Sequence, residues 1–392
     1  MRTNVKSYYD LLTFGLGNYT FQQFVDKFKT KYNQPQTDGF VWDNEIQLDF
    51  TYEQLEAELG IATLPTYVDV DSPGVYKSFD QYKIGSNKIP RQKHGFAMNE
   101  KILREKMIMV QRYGQAALNA DTQNALMNLQ FDSVDKLLAG DQNAITHQRM
   151  RTVSTGQFSI TAENNPNGLK GLTFDFGIPA ENKVALTTTA RWWTTSTHIT
   201  ANEGTASDPL QFLKDKRKQM KKAGFPDGHY EMSEDMFDDL LTHSKVLKRI
   251  GLALNPNLST DDQAINNARN RTDDELKAII QRIIGCPIVT RDSRAAVDKF
   301  DSATKTLKKE TIENFDPKNV AFVPNGQIGT IKAVQPLFFD DPAVRTALFN
   351  GGRTLLTQRY DSATKSMYVE SEMTVLCVPQ APRYMCVFTV TE

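Results

Sequence analysis

Several features that commonly mark an enzyme or a membrane protein are missing from this 392-residue chain. Its only three cysteines, Cys286, Cys377 and Cys386, have neither disulfide-framework nor metal-ligand spacing. We expect buried thiols of a protein made in a reducing cytoplasm. No apolar run approaches 18 residues, and the N-terminus shows no charged-then-apolar pattern. These absences predict a soluble globular protein with no membrane contact and no signal peptide.

The chain also lacks an excess of charge of either sign. The chain has 46 basic and 47 acidic residues, which gives a net charge of −1. A dedicated duplex-DNA binder usually has a basic excess, so sequence-specific DNA reading is not expected. Local basic patches leave room for weak, non-specific contact with phosphates. The clearest such patch is the lysine-rich stretch at 214–222, for which a solvated helix face is the first interpretation and a phosphate site the second.

Catalytic motifs are absent too. The sequence contains no phosphate-binding G-x-x-x-x-G-K-[ST], no H-E-x-x-H, no G-x-S-x-G and no C-x-x-C. Its five histidines show no ligand spacing. For His147, near the end of a predicted helix, a contact with the helix dipole is the simplest interpretation. We therefore predict that the protein is not an enzyme and needs no cofactor or catalytic metal.

What the chain does have is one long helical pattern, predicted over 114–150. Its apolar positions recur at steps of 4, 3, 4 and 7 and fall on one face. Gly140 is the only weak point of this helix. The predicted packing face consists of Met127, Phe131, Val134, Leu138 and Ile145.

The segments before this helix cannot form a core of their own. Residues 1–61 carry two short amphipathic patterns, the second predicted as a helix that begins at a Thr51–Gln54 capping box. Residues 62–98 predict an extended, polar two-stranded hairpin, with its first strand at 62–70 and its second at 77–99. Because a lone hairpin is marginally stable in water, both segments must lie against another surface.

After the long helix the pattern becomes mixed α/β, and the fold class is α+β. Three short strands follow the helix. Asp208, Ser233 and Thr272 are predicted to cap helices. Asn325-Gly326 predicts a hairpin between the strands that flank it. We also expect a helix over 341–349 and a closing strand pair joined by the turn at 379–382.

In this order, several passages resemble the major capsid proteins of tailed bacteriophages, and more narrowly the lambda head protein E group. Their fold is shared with herpesvirus capsid floors and encapsulins. The passages are Arg191-Trp-Trp193 followed by Asp208-Pro209, the segment Met232–Val246, the Pro-Asn-Gly passage Asn319–Thr330, and the proline-interrupted end SEMTVLCVPQAPRYMCVFTV. The resemblance covers residues 62–392, and the polar stretch at 292–318 is longer than the usual form of the group.

The resemblance implies a division of the chain into named parts. These are an N-terminal arm (1–61), an E-loop over the adjacent subunit (62–98), a P-domain with the long helix as its spine (99–200), an A-domain at the five- and six-fold vertices (201–365), and C-terminal strands returning to the core (366–392). E-loop contacts between subunits are expected from Lys77, Tyr82, Lys83, Ile84, Lys88, Ile89 and Arg91.

The implied function is a structural one. Copies of the chain would form pentamers and hexamers and close an icosahedral head around phage double-stranded DNA. Scaffolding, portal and decoration proteins are the expected partners, and assembly would take place in the host bacterial cytoplasm. Two alternatives are an encapsulin-like nanocompartment shell and a soluble enzyme with a β-rich accessory domain.

Overall fold

A computed structural model of the chain describes residues 21–26, 38–57, 82–98, 100, 101, 104, 105, 108, 120–301, 306–337, 344–361, 363 and 366–392. The side chains at 52–87 and 120–133 lie outside this description. Lys77 and the predicted strand 62–70 also lie outside it. Among the described residues, no helix has the length and apolar character needed to cross a bilayer. Nor do three metal-ligating side chains converge anywhere in that part of the chain.

Helix α1 spans Phe21–Asp26, and the dominant helix α2 spans Ala120–Thr155. With 36 residues, α2 is about 54 Å long. It ends at Gly156, whose φ of +72° suits a residue without a Cβ. Of the predicted packing face, Val134, Leu138 and Ile145 are buried, whereas the side chains of Met127 and Phe131 lie outside the described set.

One sheet is built around a single long strand, β16. Its six strands are β1 (Phe40–Trp42), β4 (Arg91–Met98), β13 (Gly329–Ala333), β14 (Val344–Phe349), β15 (Thr354–Asp361) and β16 (Ser366–Pro379). The first half of β16 lies between β15 and β4, and its second half pairs with β13. The helix predicted over 341–349 is wrong. Residues Val344–Phe349 form strand β14, which pairs antiparallel with β15.

The second large sheet has the order β7-β17-β12-β8-β9. These strands are β7 (Lys183–Ala185), β8 (Gly228–Ser233), β9 (Ile288–Arg291), β12 (Asn319–Pro324) and β17 (Cys386–Thr389). Against it lie α3 (Pro209–Lys222), α4 (Glu234–Thr242), α5 (Ser244–Leu254), α6 (Asp261–Arg269) and α7 (Asp273–Ile284). The predicted caps are confirmed: Asp208 and Ser233 accept hydrogen bonds from the first turns of α3 and α4, and Thr272 forms a capping box.

Two short connections lead directly from one large sheet to the other. Strands β12 and β13 flank Asn325-Gly326 but belong to different sheets, so the predicted hairpin is wrong. The turn at 379–382 likewise leads from β16 to β17 without pairing them, which corrects the predicted closing strand pair. The pairing partners of these strands are distant segments of the chain. The two short connections help to join the sheets into one body.

Helix α2 packs beneath both sheets. Its Ile145, Met150 and Val153 share one buried cluster with Ala321 and Val323 of β12. The same cluster contains Val375 and Cys377 of β16 and Val387 of β17. The helix therefore packs against both sheets where they meet.

Three pairs of strands form two-stranded ribbons that are separate from the two large sheets. They are β2 (Thr51–Ala57) with β3 (Tyr82–Lys88), β5 (Gln157–Ile160) with β6 (Leu172–Asp175), and β10 (Arg294–Asp301) with β11 (Thr306–Glu313). The helix predicted to begin at Thr51 is wrong, because Thr51–Ala57 pairs in antiparallel register with Tyr82–Lys88. The ribbon of β2 and β3 thus includes residues that the sequence assigned to the arm.

His147 is buried in α2 and does not act as a charged partner of the helix dipole. Its Nδ1 lies 2.9 Å from Oδ1 of Asn314, at the base of the β10–β11 ribbon. Burial lowers the pKa of His147 to about 4, with Arg151 adding to the shift and the hydrogen bond to Asn314 opposing it. The dipole interpretation is therefore wrong, because the imidazole is neutral at physiological pH.

This buried histidine predicts acid sensitivity of the subunit. Between pH 6.5 and 4 the unfolded chain protonates His147 and the folded chain does not, so the free energy of unfolding falls as the pH falls through this window. The full effect is about 3 kcal/mol. Urea unfolding of unassembled subunits at pH 7 and pH 5 measures this slope. His147→Asn is expected to flatten it, and an unchanged slope in that variant would contradict the assignment.

Candidate assembly interface

The base of the predicted 62–98 hairpin is the first candidate element for assembly. Strand β4 continues from β3 and pairs with β16 from Arg91↔Thr374 to Met98↔Met367. Ile89, between β3 and β4, is 3% exposed and packs with Phe158, Phe174, Phe176, Leu376 and Val378. The pairing of β4 with β16 and the burial of Ile89 thus anchor the hairpin at its base. Its β2–β3 portion pairs as a separate two-stranded ribbon.

Cross-strand ion pairs reinforce this root. Arg91 contacts Glu372 at 2.5 Å, and Lys93 contacts Glu370 at 2.9 Å. Burial alone would raise the pKa of Glu370, but Lys93 and Arg359 outweigh it, and the pKa is lowered. Such half-exposed pairs contribute about 0–1 kcal/mol each. Their main effect is to fix the register of β4 on β16, and hence the direction in which the hairpin leaves the body.

A buried carboxylate ties the hairpin root to the spine helix. Asp141 of α2, 3% exposed, accepts a hydrogen bond from Ser371 Oγ of β16 at 2.5 Å. Its other oxygen lies 2.9 Å from Nε2 of His94 of β4. The ring of His94 also lies directly over Gly140, where an added Cβ would come within 2.6 Å of its Cε1. The predicted weak point of the helix is therefore the place where β4 approaches it.

The sequence-predicted contact residues have different surroundings. Lys77 is outside the described residues, and only the strand positions of Tyr82, Lys83 and Ile84 are described. Lys88 is exposed at the end of β3. Ile89 packs inside its own chain, and Arg91 pairs with a carboxylate of its own chain. Contacts of the hairpin with another subunit remain predictions.

The described part of the arm docks on the body of the same chain. Gln22 of α1 donates through its side-chain amide to the carbonyl oxygen of Leu348 at 2.8 Å and accepts from the Leu348 N–H at 2.7 Å. A side-chain amide thus pairs with both backbone groups of one β14 residue. Farther on, β1 adds in parallel to β13. Because unpaired edge strands invite aggregation, this arrangement protects the sheet.

A buried ionic cluster joins the spine helix to the five-stranded sheet. Glu231 of β8 is fully buried and forms a two-point pair with Arg149 of α2, both contacts at 2.7 Å. Arg291 of β9 reaches the same carboxylate at 2.8 and 3.1 Å. Arg149 also donates to the carbonyl oxygen of Asp38 at 3.0 Å, and Arg291 pairs with the Asp38 carboxylate. The Glu231 carboxylate and its two arginine partners therefore connect α2, β8 and β9 with Asp38 of the arm.

The charges in this cluster are mutually compensated. Burial would raise the pKa of Glu231, but Arg149, His229 and Arg291 hold it well below its usual range. His229 lies 3.1 Å from Glu231 and 3.0 Å from Asn325 in the turn between the sheets. Burial disfavours protonation of His229, yet these two hydrogen bonds outweigh it and raise the pKa. Sequence reasoning missed the cluster, although a charged residue inside the strand HYEMS was a usable signal.

A second polar cluster has the composition of a hydrolase triad. Ser207 Oγ lies 3.1 Å from Nε2 of His243, whose Nδ1 lies 3.8 Å from Glu203. Ser207 is 1% exposed and His243 is 0% exposed, so no substrate reaches the hydroxyl. Glu203 instead accepts from the backbone N–H and the hydroxyl of Ser244 at the start of α5. The cluster fixes a loop to the helical layer.

A long helix beneath two joined sheets, a hairpin anchored at its root and an arm docked on the body are the features of the described residues that bear on assembly. The chain belongs to the phage major capsid protein E family, which it matches over residues 29–390. It is a structural capsid shell protein, and its place is the virion capsid. The encapsulin-like alternative is not favoured.

Three solved structures show what the chain is similar to. A phage-related protein from Bordetella bronchiseptica RB50 is 12% identical, with a TM-score of 0.43 over 96% of this chain and 95% of that one. A putative prophage capsid protein from E. coli CFT073 is 13% identical, with a TM-score of 0.43 over 79% of each chain. The satellite phage P4 procapsid is 10% identical, with a TM-score of 0.41 over 95% and 99%. No curated protein matches the chain.

Proposed function

We propose that this protein assembles as pentamers and hexamers into the icosahedral head that encloses phage double-stranded DNA. The observation that carries the proposal is membership in the capsid family over nearly the whole chain. Head-to-tail contacts between identical subunits close into rings, and one sequence can serve in rings of five and six if its contacts tolerate a change of angle. A hairpin fixed at its root and a short docked arm supply that tolerance.

The parts of the subunit have separate roles in this proposal. The hairpin, proposed as the E-loop, lies over the adjacent subunit, with Lys88 and the β3 residues Tyr82, Lys83 and Ile84 in contact with it. The body around α2 is the P-domain, and the helical layer on the five-stranded sheet belongs to the A-domain at the vertices. Because β2 pairs with β3, we place the start of the E-loop near residue 51.

Further partners follow from the same function. A shell that fills with DNA needs an entry vertex and a size control, so portal and scaffolding proteins are proposed partners, and decoration proteins can bind the outside. Assembly takes place in the host bacterial cytoplasm. The role is non-enzymatic: the triad-like cluster at Ser207 is closed to substrate and serves the fold.

Electron microscopy of the expressed full chain tests the proposal. We expect closed shells of uniform diameter, either from the chain alone or after co-expression with the scaffolding protein of the same phage. Sedimentation should show a large assembly in equilibrium with small oligomers. A protein that stays monomeric and compact at micromolar concentration in both expressions would contradict the proposal.

A further inference from the structure

Helix α3 carries a concentration of positive charge, most of it exposed. Its 14 residues, PLQFLKDKRKQMKK, contain six cations and one anion in a chain whose net charge is −1. Its buried side consists of Leu210, Leu213, Arg217 and Met220. Lys214, Lys218, Lys221 and Lys222, at helical steps of 4, 3 and 1, form an exposed row that we call the lysine row.

The lysine row has no counter-charge of its own. None of its four lysines has an ion-pair partner within the described ranges of the chain. By contrast, Arg217 of the same helix is buried and donates to Asp227 at 2.7 Å. The lysine pairs of the β10–β11 ribbon, Lys299–Glu310 and Lys308–Asp301, also have partners at 2.9 and 2.5 Å. The row is therefore a local positive surface, available to an external anion.

The residue type indicates which anion. The fully buried carboxylate Glu231 is paired with arginines, Arg149 and Arg291. Arginine gives planar, two-point contacts, whereas lysine is a strongly hydrated point charge on a flexible stem. Lysine is also depleted from protein–protein interfaces. A row made only of lysines is suited to bind a polyanion weakly and at many positions along its length.

We infer that the lysine row of α3 is the surface with which this subunit contacts the phosphate backbone of packaged duplex DNA. The inference rests on the proposed function and adds the contacting surface. The row extends over about 12 Å of helix. Duplex DNA has one phosphate charge per about 1.7 Å of its axis, so such a length offers more phosphates than the row has lysines. The contact reads no sequence, because it reaches phosphates and not base edges.

Salt dependence of DNA binding by the unassembled full chain tests this inference. The probe is a fluorescent 30-base-pair duplex of mixed sequence, titrated between 50 and 200 mM salt. Four phosphate contacts give a slope of log K against log salt of about −3.6, or about a 150-fold loss of affinity over this range. The Lys214→Gln, Lys218→Gln, Lys221→Gln, Lys222→Gln variant should reduce the slope by about 3 to 4. Glutamine has a helix propensity close to that of lysine, and circular dichroism checks that the fold is kept.

The matched control removes the same charge elsewhere. It replaces Lys170, Lys299, Lys308 and Lys309, all exposed, with glutamine, and it should keep the slope of the unchanged protein. Formaldehyde cross-linking in DNA-filled heads should then capture peptides that contain 214–222. An unchanged slope in the lysine-row variant would overturn the inference. So would a loss of DNA-free shells in that variant but not in the control, because the row would then contact a neighbouring subunit.

The two proposals fail in distinguishable ways. DNA binding is measured on unassembled subunits. A protein that never forms shells would therefore refute the proposed function, and the slope of log K against log salt could still be measured. Conversely, normal shells together with an unchanged slope would leave the proposed function intact and refute the lysine row as the DNA contact.

Discussion

Replacing Glu231 with glutamine is expected to lower the free energy of unfolding by about 3–5 kcal/mol. The glutamine keeps the shape of the side chain but removes the negative charge to which both Arg149 and Arg291 donate. Arg149 is 1% exposed, so its guanidinium is shielded from bulk solvent. Since a folded domain is stable by only about 5–15 kcal/mol in total, the loss is severe. Urea unfolding of purified subunits at pH 7 measures it.

The matched control for this variant is Glu310→Gln. Glu310 also pairs with a cation, Lys299 at 2.9 Å, but both side chains are more than half exposed. Its replacement should change the free energy of unfolding by less than about 1 kcal/mol. Equal losses in the two variants would contradict the role assigned to the buried cluster. A double variant, Arg149→Met with Glu231→Gln, should cost less than the sum of the two single changes, because the two side chains are in direct contact.

Shortening the E-loop is expected to abolish shells and leave the subunit folded. The variant deletes residues 54–85 and joins Glu53 to Ser86, which are paired partners, through Asn-Gly. Strand β4, Ile89 and the ion pairs on β16 all remain, so the unfolding midpoint should stay close to that of the intact chain. The part that would lie over the adjacent subunit is gone. Shell yield by electron microscopy should fall more than tenfold.

The β10–β11 ribbon provides a control of the same kind. Deleting residues 300–307 and joining Lys299 to Lys308 through Asn-Gly shortens another two-stranded ribbon at a paired position. This variant should still form shells, since the proposal assigns no contact between subunits to that ribbon. Normal shells from the variant with the shortened E-loop would refute the proposed contact, whereas an unfolded subunit would show that the hairpin is part of the core.

Much of the local structure was readable from the sequence. The apolar spacing predicted the long helix, whose C-terminal half buries Val134, Leu138 and Ile145 as expected. Asp208, Ser233 and Thr272 were recognised as caps because a cap bonds to backbone groups only three residues away. The order of motifs also indicated the capsid family.

The errors concern strands, and they share one cause. Thr51–Gln54 has the residues of a capping box, yet the segment pairs with residues about thirty positions later. Residues 344–349 follow an Asp-Pro that commonly opens a helix, but β15 is adjacent and offers a ladder of hydrogen bonds. At Asn325-Gly326 and at 379–382 the flanking strands were right and their pairing was wrong. A turn reverses the chain but does not select the sheet that each strand joins.

The sequence by itself therefore determined the long helix, the caps of three further helices and the family, because these depend on contacts within a few residues or on the order of motifs. Only the tertiary structure decided which strands pair, that two short connections lead from one large sheet to the other, and that Arg149, Glu231 and Arg291 meet. These three residues are separated by 82 and 60 positions. Their energies come from burial and from partners brought together by the fold, and no local pattern encodes either.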